Sequence, residues 1–208
     1  SKCVVKFPMD GKEVTYNANQ LSATQFICGS PSEIHIDAFW CMILATKINN
    51  IILMSDWTGL HKGRIVTKVT RFIPKVKKMR AGPPSVIHWT HSEPYQGIVQ
   101  HSLEVDDGQE RRTVRLFRFT DWPDHGVPEH FAHLKTFFDK YLTPWRRPND
   151  VNLYMCSAGW GRSGTMALIE MMLYGGISGK EALLHVRRTR PGAVQTLDQY
   201  CFAHAYVK

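Results

Sequence analysis

Val151-Asn152-Leu153-Tyr154-Met155, then Cys156-Ser157-Ala158-Gly159-Trp160-Gly161-Arg162-Ser163-Gly164, then Thr165 through Tyr174: this stretch decides how the chain reads. The first five residues make a short apolar strand. The middle run is rich in small residues, which let the backbone curl tightly. The last ten have helical spacing. A curled run between strand and helix turns successive N–H groups inward and forms an anion-binding concavity. The helix N-terminus adds its partial positive charge at the same point. Arg162 closes such a cradle with two parallel hydrogen bonds to a phosphate. Cys156 then sits beneath the anion. Cationic and helix-terminal surroundings favour thiolate over thiol, and a thiolate is the nucleophile that covalent phosphoryl transfer needs. A buried cysteine before a Gly-rich helix start is the bland alternative. Cys-x5-Arg alone does not exclude it, whereas the full ten-residue run at a strand-to-helix junction does.

Working outward, the rest of the chain supplies the frame. Glu129–Tyr141, Gly179–Thr189 and Val194–Val207 read as helices, as does Ser32–Ile48 with Ile36, Phe39, Trp40, Ile43 and Leu44 on one face. Val14–Asn17, Gln25–Cys28, Asn50–Ser55, Gly63–Arg71 and Ser85–His91 read as strands. Gly97–Val105 and Arg111–Phe119 flank Asp106-Asp107-Gly108, a hairpin signal. Pro83-Pro84 and Arg146–Asp150 read as loops within one domain. The expected fold is α/β (α+β): a highly twisted mixed central sheet with helices on both sides. A chain of 208 residues, 43% hydrophobic and 21% charged, suits one globular domain.

Composition narrows the function. No run of eighteen or more apolar residues appears, so no membrane segment is expected in this chain. The five cysteines, Cys3, Cys28, Cys41, Cys156 and Cys201, are odd in number and unpaired in spacing. That argues against a disulfide framework or a zinc site and for a reducing, cytoplasmic setting. The formal charge of +8 is concentrated in Lys68–Arg80. A solvated basic face, or attraction of phosphorylated substrates, accounts for it. No nucleic-acid motif accompanies it, so no nucleic-acid partner is expected.

The Cys156–Thr165 run resembles the phosphate-binding loop of protein-tyrosine phosphatases, His-Cys-Ser-x-Gly-x-Gly-Arg-Ser/Thr-Gly. Phe119-Thr120-Asp121-Trp122-Pro123-Asp124-His125-Gly126-Val127-Pro128 is similar to that family's mobile acid loop, and Arg190 through Tyr200 to its glutamine loop. Asn17-Ala18-Asn19, Phe26-Ile27-Cys28-Gly29-Ser30-Pro31 and Asp37-Ala38-Phe39-Trp40 resemble weaker framework motifs.

The resemblance implies a single phosphatase catalytic domain over 1–208, acting as a monomer on phosphotyrosine-containing proteins, with no cofactor and no metal. It implies Cys156 as nucleophile, Asp124 as general acid and then base, and Arg162 as phosphate ligand. Ser163 stabilises the leaving thiolate, Gln195 positions the attacking water and Gln199 helps hold it. Ser157, Ala158, Gly159, Trp160, Gly161, Trp122 and His125 join Arg162 in binding substrate. Without the resemblance, Asp121 competes with Asp124 for the acid role.

The chain also departs from the family. Met155 stands where the family has His before the nucleophile. Trp160 stands at a position usually small or aliphatic. The tyrosine-bearing recognition loop upstream of Asn17 is not found in residues 1–16. His61-Lys62 is taken as the remnant of the Glu-Lys pair that buttresses the arginine. These departures make a phosphotyrosine-binding pseudophosphatase the alternative expectation.

Overall fold

The computed structural model describes residues 4–75, 79–80, 84–145, 147 and 149–208. Cys3, part of the basic stretch, and Pro83, Arg146 and Pro148 of the two expected loops lie outside the described residues. Four consecutive parallel strands form the centre of an eight-stranded mixed sheet. They are β4 (Gln25–Gly29), β12 (Asn152–Cys156), β5 (Asn50–Leu53) and β11 (Arg111–Phe119). Antiparallel β3 (Ala18–Ser22) flanks β4. On the other side run β10 (Ile98–Asp106), β9 (Ser85–His91) and β8 (Met79–Arg80), each antiparallel to its neighbour.

Every residue of β12 and β5 is buried, as strands covered on both faces must be. Alternate side chains feed two cores. Ile27, Ile52, Phe117, Tyr154 and Cys156 face α2 (Ala132–Thr136), α3 (Gly161–Gly175), α4 (Gly179–Thr189) and α5 (Leu197–Val207). Cys28, Ile51, Leu53, Leu116 and Met155 face α1 (Ile36–Ala45) and the hairpin β1 (Val5–Met9) to β2 (Lys12–Tyr16). Met155 therefore fills core on the side of the sheet away from the cysteine.

The expected helices and strands are present, with shifted ends. The helix expected from Thr165 begins at Gly161. The one expected from Glu129 begins at Ala132 and passes into a π-helical turn, Phe137–Leu142. Both α4 and α5 start on full capping boxes, Ser178 with Glu181 and Thr196 with Gln199. Such a cap contributes about 1 kcal/mol. The second box fixes the glutamine loop against its helix.

A separate ribbon, β6 (Thr58–His61) and β7 (Arg64–Thr67), closes on Lys62-Gly63. Both tip residues have positive φ, 49° and 75°, as a type I′ turn requires.

Candidate active site

Ligand sites of open α/β sheets lie outside the carboxyl ends of the parallel strands. Here the run after Cys156 sits at the end of β12, between the ends of β4 and β5. The Ser30 N–H donates to the carbonyls of Cys156 (3.0 Å) and Ser157 (3.1 Å), tying the loop to β4. Gly159 has φ 75°, and a Cβ there would lie 2.2 Å from the Cys28 and Gly29 backbone. Gly159→Ala is expected to destabilise the domain by about 3 kcal/mol, because neither backbone can yield cheaply. A denaturant melt coinciding with the parent's would show that the loop has room to retreat.

Arg190 pins the same turn from beneath. It is 4% exposed, and its Nε donates to the Gly159 carbonyl at 2.8 Å. Its Nη2 reaches the Ala158 carbonyl at 3.3 Å, and Nη1 reaches Asn19 Oδ1 at 2.7 Å and Asn17 Oδ1 at 3.2 Å. Three separate motifs thus meet on one guanidinium. Arg190, Asn17 and Asn19 lie in motifs of the sequence that assign them no part in the site. The signal was there: an arginine fork placed beside loop carbonyls is a way to hold a strained turn.

Cys156 Sγ accepts two hydrogen bonds, from the Gly159 N–H at 3.2 Å and the Ser163 hydroxyl at 3.0 Å. Arg162, buried in the first turn of α3, donates to the Trp122 carbonyl at 3.2 Å and is ion-paired with Asp124. The other Asp124 oxygen accepts from Lys68 Nζ at 3.0 Å. Burial of Asp124 opposes ionisation. The Lys68 hydrogen bond and the charges of Arg162, Lys68 and His125 outweigh it and hold the carboxyl below the usual range. Asp121 points elsewhere, its Oδ2 3.0 Å from His133 Nδ1 on α2.

The lysine at the site corrects the sequence reading. His61 and Lys62 lie exposed at the ribbon tip. Lys68, just past the ribbon's base, is the lysine that meets Asp124. The Trp122 ring packs on Phe119 and Phe202, and its Nε1 donates to the Gly126 carbonyl at 3.2 Å.

Gln199, fully buried, accepts from the Gln195 N–H at 2.9 Å and donates to the Gly126 carbonyl at 3.4 Å. Gln199 thereby ties the Gln195 backbone to the loop that carries Asp124. A Cβ at Gly161 would lie 2.6 Å from Gln195 Oε1, so the absence of a side chain there leaves the glutamine amide its place in the pocket. The pocket, about 160 Å³, is lined by Asp124, His125, Cys156, Ser157, Ala158, Gly161, Arg162, Gln195 and Gln199. Gly159, Trp160 and Trp122 do not line it. Gly159 is turned under the loop. Trp160 is 43% exposed, with the Arg190 guanidinium 5.9 Å from its ring.

A family model for the protein-tyrosine phosphatase domain matches residues 2–208. The chain belongs to the protein-tyrosine phosphatase family. Receptor-type tyrosine-protein phosphatase eta of Gallus gallus is 32% identical to this phosphatase domain, over 83% of the chain and 12% of the relative. Tyrosine-protein phosphatase 3 of Dictyostelium discoideum is 30% identical, over 84% of the chain and 19% of the relative. The chain thus spans less than a fifth of either relative's length. A solved structure of PTPN18 in complex with HER2-pY1248 phosphopeptides superposes with a TM-score of 0.75 at 22% identity, over 88% of this chain and 70% of that one. That likeness establishes the phosphatase fold. Among the described residues, no helix is long and apolar enough to cross a membrane.

Proposed function

We propose that this domain hydrolyses phosphotyrosine in proteins through a cysteinyl-phosphate at Cys156. The observation that carries the reading is the convergence of Cys156, Arg162, Asp124 and Gln195 on one pocket. In the first step Sγ attacks phosphorus and the P–O bond to the phenol breaks. Asp124 gives its proton to the departing oxygen. Arg162 and the loop backbone bind the phosphoryl oxygens. In the second step water held by Gln195 attacks phosphorus, Asp124 takes its proton and the P–S bond breaks. Ser163 donates to the returning thiolate. Gln199 acts by holding Gln195 and the closed acid loop. The same reading makes residues 1–208 one catalytic unit, monomeric and working in the cytoplasm, where thiols stay reduced.

One observation favours a second reading, a phosphotyrosine-binding module with little turnover. The Asp124 carboxylate is paired with both Arg162 and Lys68, so the group cast as acid starts without its proton. The two readings part on turnover. Purified protein is expected to release phosphate from p-nitrophenyl phosphate and from a phosphotyrosyl peptide, with vanadate competing. Peptide binding without phosphate release would select the second reading.

A further inference from the structure

The loop that carries Asp124 leaves β11 after Phe119 and enters α2 at Ala132. A side-chain contact bridges its two ends. Asp121 Oδ2, at the start of the loop, lies 3.0 Å from Nδ1 of His133, the second residue of α2. An ionised carboxylate only accepts, so Nδ1 carries the hydrogen, and both the neutral and the charged ring can supply it.

Gly97 makes room for this pair. A Cβ there would lie 2.4 Å from Asp121 Oδ1 and 2.6 Å from Oδ2. The carboxylate thus rests where any other residue would carry its side chain. Gly97 also has φ 70°, in the turn that leads into β10. That turn is tied to both ends of the loop. The Gly97 carbonyl accepts from the Thr120 N–H at 2.8 Å and from the Thr120 hydroxyl at 3.2 Å. Gln96 Oε1 accepts from the Thr136 hydroxyl. His133 and Thr136 stand three positions apart on α2 and so share one face of it.

Asp124 stands three residues after Asp121, inside the bridged segment. Joining the ends of a loop removes conformations that would carry its middle elsewhere. We propose that Asp121 and His133 are positioning residues: their pair closes the stem of the loop and holds Asp124 at the pocket. Neither side chain lines the pocket. The inference rests on the phosphatase reading for the role of Asp124.

Initial rates on a phosphotyrosyl peptide test it. His133→Ala is expected to lower kcat about fivefold, the shift in population that one partly exposed ion pair can carry. Asp121→Ala is expected to match it, and the two together to lose no more than either alone. His133→Asn, whose amide N–H stands at the same place along the side chain as Nδ1, is expected to return kcat to within about twofold of the parent. In an Asp124→Asn background His133→Ala is expected to have no further effect, because no acid is left to position.

Parent-level kcat in His133→Ala overturns the proposal. Equal losses with and without Asp124 overturn it too, since the substitution then weakens the fold and not the placing of the acid. A loss that Asn does not restore removes the hydrogen bond as its carrier and overturns it as well. Failure of the phosphatase reading looks different: the parent hydrolyses nothing. Amide hydrogen exchange then decides the pair. Faster exchange across residues 121–127 in His133→Ala, with β11 and α3 at the parent rate, upholds it. Parent-like exchange across the loop overturns it.

Discussion

Cys156→Ser is expected to lower hydrolysis of p-nitrophenyl phosphate by 10⁴-fold or more, on the order seen when a covalent nucleophile is removed. The hydroxyl remains protonated where a thiol ionises, and oxygen sits closer to its own Cβ than sulfur does. The donors around the site survive the change. The Gly159 N–H and Ser163 hydroxyl still aim at residue 156, and Arg162 still faces the pocket. Phosphotyrosyl-peptide binding is therefore expected to persist while turnover vanishes, a separation read from initial rates beside anisotropy. Cys28, whose backbone lies against Gly159, cannot take over. It is fully buried on the α1 side of the sheet, and burial pushes its thiol up to about 12. Parent-like turnover in Cys156→Ser would move the nucleophile elsewhere and remove the cysteinyl-phosphate reading.

The site was more legible than its supports, and the reason is physical. Cys156 and Arg162 lie within one turn, so their meeting follows from local geometry. The acid loop and glutamine loop carry dense Pro, Gly and Gln patterns that read as units. Lys68 does not. Choosing it over Lys62 requires knowing that Lys62-Gly63 makes the ribbon's turn, which exports Lys62 to the tip and leaves Lys68 against Asp124. The early start of α3 was hidden because Gly161 and Gly164 lower helix propensity. Tertiary crowding demands Gly164, where a side chain would strike the Val194 N–H at 2.7 Å. Strand β1 was missed because Pro8 speaks against a strand, though it is tolerated on an edge, while Asp10-Gly11 carried the hairpin signal. Met155 shows the limit most clearly. Sequence comparison marks it as a departure beside the nucleophile, yet strand alternation turns it into the opposite core.

Asp124→Asn is expected to lower kcat on a phosphotyrosyl peptide by about 10²–10⁴-fold, the usual contribution of a positioned acid. The pH profiles are expected to change with it. In the free protein the Asp124 carboxyl lies below its ordinary range; burial opposes this, and Lys68 and Arg162 overcome it. A bound phosphate dianion reverses the balance. It takes over Arg162 and brings negative charge beside the carboxylate, which raises the pKa. The profile of kcat/KM reports the free protein and that of kcat the complex. The limb that needs protonated Asp124 is therefore expected at lower pH in kcat/KM than in kcat, and to vanish from both in Asp124→Asn. Lys68→Met, which removes the hydrogen bond but not the acid, is expected to move the kcat/KM limb upward. The same depression has a structural consequence of fixed sign. A carboxyl held low in the folded state contributes stability above its unfolded value near about 3.9 and loses it as pH falls through the folded value. Closure of the acid loop on Arg162 is thus expected to persist at neutral pH and to weaken only in acid. Coincident limbs in the two profiles would mean that substrate does not displace Asp124 from Arg162, and the proton-delivery step would have to be assigned to another group.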